Sequence, residues 1–150
     1  MIRIRWETDY GLILLGYLVQ HAGQGAHAAR EVSEWAGIPL PMASKILKTL
    51  AREGILVSHR GVKGGYSLAQ SADTISLADV IQALEGPIGI TECASHPGAC
   101  GKETGCPVKP NWVRISGAIR ASLEKISLAE MYTPPPSPIV YVGEAGKRVQ

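Results

Sequence analysis

Apolar residues recur at helical spacing in three segments of the first 54 residues. The spacing i, i+3, i+4, i+7, i+8, i+11 in residues 9–21 predicts an amphipathic helix. A short second helix is predicted over residues 29–36, with Gly37 as its stop. A third helix starts near Pro41, which suits a first turn, and ends at Gly54. Its buried positions are Ala43, Ile46, Leu47 and Leu50.

The pattern then changes from helical spacing to alternation, which predicts a β-hairpin. Residues 55–60 and 66–69 are strand-like, and the turn between them contains Gly61, Gly64 and Gly65. A fourth helix starts at Ser76, with Asp79 placed for a capping box, and closes at Gly86 and Pro87. Its buried positions are Leu77, Val80, Ile81 and Leu84.

The second half of the chain is less regular. An irregular stretch over residues 88–110 precedes a long helix over 111–126. The proline-rich tract 133–138 is extended, and residues 139–142 suit a short strand within a loose tail. These features predict four parts: residues 1–86, 87–110, 111–132 and 133–150.

Composition narrows the class of protein. With 150 residues and 45% hydrophobic residues, the chain fits one ordinary domain or two very small ones, and the lack of Phe predicts an aliphatic core. The apolar stretch 13–19 is too short to cross a bilayer, and the start has no secretion pattern, so we expect a cytoplasmic protein without a membrane partner. Three cysteines, an odd number, fit poorly with a disulfide framework.

Three helices followed by a glycine-rich hairpin predict a winged helix-turn-helix, in a mainly α fold with a small β-hairpin wing. Residues 1–65 carry eight basic and five acidic side chains, whereas residues 66–150 carry seven basic and eight acidic side chains. The third helix and the wing therefore predict binding to double-stranded DNA, with phosphate contacts supplying affinity. The alternative is that the lysines only face solvent, as on any amphipathic helix. The predicted DNA-binding residues are Pro41, Met42, Ser44, Lys45, Lys48, Arg52, Arg60 and Lys63.

All three cysteines lie in one segment of 14 residues. Cys93, Cys100 and Cys106 have the spacing C-x6-C-x5-C, in a loop that contains Gly and Pro. Thiolates hold iron–sulfur clusters and zinc, and irregular backbone can direct several sulfurs to one centre. The spacing favours an iron–sulfur cluster, of [2Fe-2S] or [4Fe-4S] type. Three alternatives stay open: independent structural cysteines, a thiol–disulfide switch without metal, and zinc with His96 as a further ligand.

The most specific motif of the DNA-binding half is that of the wing, Arg60-Gly-Val-Lys-Gly-Gly-Tyr-Ser-Leu68, and residues 8–11, 40–47 and 50–56 accompany it. These motifs resemble the Rrf2 family of bacterial winged-helix repressors, which includes IscR, NsrR and RirA. The similarity covers about residues 1–132. Residues 84–88 and 91–93 look closest to the SUF-type regulators of iron–sulfur cluster assembly. The resemblance implies a dimeric DNA-binding regulator that senses cluster status.

The resemblance also bears on the fourth cluster ligand. Family members often complete the ligand set just after the third cysteine, where this chain reads Pro107-Val108-Lys109 without a histidine. Other members use an acidic residue near the N-terminus of the partner subunit, and Asp9 matches that position. Asp9 is therefore the expected fourth ligand, with His96 as the alternative. Asp9 equally suits a helix cap.

The long helix carries an apolar stripe. Its members recur at steps of 3, 4, 4 and 3 and fit either a core position or a coiled-coil-like seam. The family dimerises through this helix, and a twofold dimer doubles the contact with a palindromic operator. We therefore expect a homodimer. The stripe consists of Trp112, Ile115, Ile119, Leu123 and Ile126.

No arrangement of residues indicates an enzyme. The chain lacks a phosphate-binding GxxxxGKS, a GxGxxG and an HExxH motif, and we expect no small-molecule substrate. The expected function is a transcriptional regulator, most simply a repressor, that senses iron–sulfur status and controls SUF-type genes. A repressor that responds to nitric oxide or iron is one alternative, and a redox or electron-carrier protein on a winged scaffold is another.

Overall fold

The computed structural model describes residues 3–134, which form helices around a small two-stranded wing. The predicted tail beyond residue 134, with its short strand, lies outside the described residues. No described helix is long and apolar enough to cross a membrane. The elements are α1 (Trp6–Gln20), α2 (Ala29–Ala36), α3 (Leu40–Arg52), β1 (Leu56–His59), β2 (Gly65–Leu68), α4 (Leu77–Glu85), α5 (Glu92–Ser95), α6 (Lys109–Glu124) and a 3-10 turn (Glu130–Tyr132).

The helices with local start and stop residues lie where the sequence predicts them. α2 ends at Gly37, whose φ of 65° and ψ of 25° form a left-handed cap. α4 begins with the predicted capping box, since the Ser76 hydroxyl accepts from the Asp79 N–H and the Asp79 carboxylate accepts from the Ser76 N–H. The end of α2 and the start of α4 thus each have a signal in the adjacent residues.

Two helices begin earlier than the sequence predicts, and one element was missed. α1 begins at Trp6, before the predicted residue 9, although its N-cap Arg5 provides no side-chain cap. α6 begins at Lys109 with Pro110 in its first turn, before the predicted residue 111. The stretch predicted as irregular contains the single-turn helix α5. Proline near a helix start needs no hydrogen bond from its nitrogen, which favours the earlier start of α6.

The wing is an antiparallel hairpin that is also paired with the body of the protein. Leu56 pairs with Leu68 and His59 with Gly65 at the two ends of the ladder. Outside the hairpin, the His27 N–H donates to the Tyr66 carbonyl at 2.9 Å, and the Tyr66 N–H donates to the His27 carbonyl at 2.8 Å. The wing is therefore fixed to the segment before α2 by two backbone hydrogen bonds.

The core is aliphatic, as the composition predicts. It lies between α1, α2, α3 and α4, and a residue after α6 joins it, because Leu128 is fully buried. The backbone on either side of Leu128 returns to the start of α4: Leu77 N–H donates to Ile126 O at 2.8 Å, and Leu128 N–H donates to Ile75 O at 2.7 Å. The largest fully buried side chains are Leu14, Leu15, Leu47, Leu50, Leu128, Val32, Val80 and Thr8.

The long helix α6 has few buried positions. It packs against α4 and α5, and Ser116 is its one buried residue. Trp112 and Ile115 on the predicted stripe keep 37% and 38% of their surface exposed. Ile119 and Leu123 are half-buried. The apolar side of α6 is thus incompletely covered in a single chain.

Candidate nucleic-acid interface and cysteine segment

The outer face of α3 presents basic side chains to solvent. Lys45, Lys48 and Arg52 are exposed, while the predicted buried positions from Ala43 to Leu50 form the opposite face. Met42, also predicted on the outer face, is half-buried and packs partly against the core, one turn before buried Ile46. Ser44 is half-buried as well. The amphipathic pattern therefore orients α3 with its basic residues outward.

The three basic side chains of α3 differ in their partners. The Lys45 ammonium lies 2.8 Å from the Glu7 carboxylate of α1, and this contact holds the pKa of Glu7 below its usual value. Arg52 pairs with its neighbour Glu53 at 2.9 Å. Lys48 has no carboxylate within 4.0 Å among residues 3–134. Lys48 therefore has no ion pair to exchange for a phosphate.

The turn of the wing adds two further exposed cations. Arg60 and Lys63 are exposed at the turn of the hairpin, and neither has a carboxylate within 4.0 Å in the described part of the chain. Val62, between them, is fully exposed. A polyanion in contact with this turn would face positive charge without an internal competitor.

A polar cluster with two buried members, Tyr17 and His27, and the exposed Glu31 lies at the attachment of the wing. The Tyr17 hydroxyl donates to the Glu31 carboxylate, and His27 Nδ1 lies 3.3 Å from the same carboxylate oxygen. The hydrogen bond and burial raise the pKa of Tyr17 to about 12, and the same hydrogen bond with that of His27 lowers the pKa of Glu31. No sequence pattern indicates this cluster, because its members come from different elements.

The cysteine segment carries three half-buried thiols, none of which is in a disulfide. Cys93 is in α5, where its sulfur lies 3.3 Å from the Thr91 hydroxyl, and Cys100 and Cys106 lie in the loop before α6. Within residues 3–134, no group of three or more His, Cys, Asp or Glu side chains is close enough to hold a metal ion. The structure therefore places the thiols on one segment without bringing all three to one point.

An ion pair within the segment organises this loop. The Lys109 ammonium lies 2.5 Å from Glu103 Oε1, and the Gly98 N–H donates to Glu103 Oε2 at 2.6 Å. Both contacts lower the pKa of Glu103. Glu103 in turn raises the pKa of Lys109, and the nearby charges of Cys93 and Cys106 act in the same direction. The pair thus places a cation near two of the three sulfurs.

The three cysteines have the chemistry to hold a metal group as thiolates, although their sulfurs are not gathered around one centre in residues 3–134. Thiolates are the ligands that iron–sulfur clusters use, and a nearby ammonium offsets part of their negative charge. The other predicted ligands, Asp9 and His96, are both exposed, with Asp9 in the first turn of α1 and His96 directly after α5. Gathering the three sulfurs requires the loop between α5 and α6 to change shape.

Comparison with known proteins identifies the family. Residues 4–134 match Rrf2, described as an iron-dependent transcriptional regulator. The chain belongs to the Rrf2 family. An IscR regulator of Aliivibrio salmonicida is 32% identical over 130 residues, which is 87% of this chain and 77% of that protein. Members of the Rrf2 family are DNA-binding transcriptional regulators and not enzymes.

Two solved Rrf2 structures confirm the predicted fold. CymR, the global cysteine regulator of Bacillus subtilis, matches with a TM-score of 0.69 and 28% identity, covering 89% of this chain and 100% of that chain. IscR of T. potens matches with a TM-score of 0.64 and 26% identity, covering 87% and 85%. The mostly helical winged helix-turn-helix predicted from the sequence is therefore correct.

Proposed function

We propose that this Rrf2 protein is a homodimeric repressor that binds an operator through α3 and the wing and senses iron–sulfur status through its cysteine segment. The observation that carries the proposal is the combination of three free, half-buried thiols on one segment with an exposed basic surface on α3 and the wing. The expected targets are SUF-type genes. A regulator of this kind works in the cytoplasm, where its operators are.

The charge of the surface supports DNA binding. Lys48, Arg60 and Lys63 are exposed cations without a carboxylate partner among residues 3–134. Each such cation can replace a counterion at a DNA phosphate, and affinity then falls steeply with salt. An electron carrier on the same scaffold would bind duplex DNA weakly and without sequence preference. Salt dependence and sequence selection together therefore separate a regulator from a carrier.

The exposed apolar residues support a dimer that completes the cluster site. Trp112 and Ile115 on α6 are incompletely covered, and Ile4 and Trp6 beside the start of α1 are also exposed. A twofold interface would cover such surfaces and bring one α1 towards the other cysteine segment. We propose Cys93, Cys100 and Cys106 as ligands of a [2Fe-2S] or [4Fe-4S] cluster. Asp9 of the partner subunit is the proposed fourth ligand, and His96 is the alternative.

Anaerobic purification followed by visible absorption and by iron and sulfide assays tests the sensing chemistry. We expect a brown protein that contains both elements, and a Cys100→Ala variant that loses the colour but keeps the mass of a dimer. Asp9→Asn should alter the absorption spectrum, whereas the matched exposed variant Asp73→Asn should not. Colourless protein with stoichiometric zinc would refute the proposal.

DNA selection tests the other half of the proposal. Duplexes selected from a random library should converge on a palindrome, and Lys48→Ala should weaken binding to it while Lys125→Ala, at the end of α6, should not. The slope of affinity against salt should become shallower by about one unit for each cation–phosphate interaction that a substitution removes. Binding without sequence preference would instead favour the carrier.

A thiol switch without metal is a second candidate. It is favoured by the separation of the three sulfurs, which do not meet at one point within residues 3–134, and by the likeness to CymR, a cysteine regulator. In that case, metal-free protein should change its operator affinity when a mild oxidant forms a disulfide, and reduction should restore it. A response to nitric oxide or to iron supply would use the same residues as the proposed cluster sensing. Operator affinity of the cluster-containing protein, measured after exposure to each signal in turn, distinguishes these responses.

A further inference from the structure

The first turn of α1 contacts both parts of the protein that the proposed regulator must couple. On one side it meets Glu85, the last residue of α4, two residues before the stretch 87–110 that contains the cysteines. On the other side it meets Lys45 in α3. The Thr8 side chain between these contacts is completely buried, which fixes this turn against the core.

Glu85 caps α1 from a distant part of the chain. Its Oε1 accepts from the Arg5 N–H at 2.7 Å and from the Thr8 hydroxyl at 2.9 Å, while its Oε2 lies 3.4 Å from Arg5 Nε. The Arg5 guanidinium also donates to the Leu84 carbonyl at 2.6 Å. A carboxylate at a helix N-terminus is favourable, because free N–H groups and the helix dipole point towards it. The start of α1 and the end of α4 are therefore held together.

Glu7, in the same turn, holds the lysine of α3. Its carboxylate lies 2.8 Å from the Lys45 ammonium and 3.8 Å from the Arg5 guanidinium. An ammonium that donates to Glu7 has part of its charge neutralised and is directed along α1. Lys45 is for this reason less available to a DNA phosphate than Lys48, which has no such partner among residues 3–134.

We propose that Glu85, Arg5 and Glu7 form a charged link through which the cysteine segment controls how far Lys45 is available to DNA. The inference rests on the proposed function, because it takes α3 as the DNA-binding helix. A rearrangement of residues 87–110 pulls on Glu85, shifts the first turn of α1, and changes the contact between Glu7 and Lys45. Glu7 and Glu85 are positioning residues, which act on DNA through Lys45.

The first test measures operator affinity in metal-free protein, so that it does not depend on the cluster. Glu7→Gln should tighten binding about two- to fivefold, the range expected for release of an exposed ion pair, and the gain should vanish in a Lys45→Ala background. Glu34→Gln, which removes one exposed negative charge on α2, controls for net charge. Its effect should be the same with and without Lys45. A Glu7→Gln gain that persists in Lys45→Ala overturns the link.

The second test is a double-mutant cycle between Glu85→Gln and Lys45→Ala, two residues without a direct hydrogen bond. For two independent residues, the fold-changes in operator affinity multiply to within a factor of about two. We expect the double variant to deviate from that product by more. Circular dichroism checks folding, and Thr8→Val replaces Glu85→Gln if the latter unfolds. Additive effects overturn the link. If Lys45→Ala leaves affinity unchanged both in the native chain and in the Glu7→Gln background, the inference also fails, and the fault then lies in the proposed DNA surface. A colourless protein that still shows the coupling would refute only the cluster.

Discussion

Replacing Gly65 by alanine should separate the wing from the body of the protein. Gly65 has a φ of 152°, and a Cβ at this position would lie 2.2 Å from the His27 carbonyl oxygen and 2.4 Å from its carbon. Backbone atoms cannot rotate away as a side chain can. The two hydrogen bonds between His27 and Tyr66 must therefore break or lengthen. At about 1 kcal/mol for each of the two bonds and about 1–3 kcal/mol for backbone strain, the variant should be destabilised by roughly 3–5 kcal/mol.

The matched control for this variant lies in the same hairpin. Gly61 has a φ of 104°, but a Cβ there meets nothing within 4 Å, so Gly61→Ala should cost only about 1–2 kcal/mol for its backbone conformation. Urea unfolding followed by circular dichroism measures both, and the two variants should share one m-value. If Gly61→Ala and Gly65→Ala lower the free energy of unfolding equally, the close approach of residue 65 to the His27 backbone is not the cause of the destabilisation.

Two further predictions concern the cysteine segment and the residues after α6. The lowered pKa of Glu103 means that its stabilising ion pair with Lys109 is fully present above the ordinary pKa of 4.5 and is lost as pH falls through the pKa of the folded protein. The cysteine thiols of Glu103→Gln should therefore react with dithiodipyridine faster than those of the native protein at neutral pH, and at the same rate in acid. Equal labelling rates at neutral pH would contradict this. Leu128→Ala should cost about 2–5 kcal/mol because the side chain is fully buried. Exposed Met131→Ala should cost under about 0.5 kcal/mol by the same unfolding assay, and similar losses in the two would show that Leu128 is not part of the core.

Local rules predicted most of the helical framework. α2 and α4 follow from Gly37 and from the Ser76–Asp79 capping box, which act within one turn of the helices they end or begin. The start of α1 could not be predicted in this way, because its cap is Glu85, 77 residues away from Thr8. The start of α6 could have been found, since Pro110 suits a first turn.

The candidate site was predicted in its residues but not in its contacts. Periodicity distinguishes the outer face of α3 from its buried face, and therefore finds Lys45 and Lys48. It cannot show that Glu7, 38 residues earlier, pairs with Lys45. Spacing likewise finds the cysteines on one segment. How the loop orients their sulfurs depends on tertiary contacts such as that of Glu103 with Lys109, which no spacing rule contains.

After α6 the chain returns to the point at which α4 begins. The Ser76–Ser127 bridge and its two flanking hydrogen bonds close residues 76–127 into a loop with fixed ends. The entropy of closing a loop rises only slowly with its length, so a longer or shorter segment costs little while the two ends stay fixed. Insertions or deletions between α5 and α6 should thus leave the wing and α3 intact, which allows different sensing segments to evolve on one unchanged DNA-binding domain.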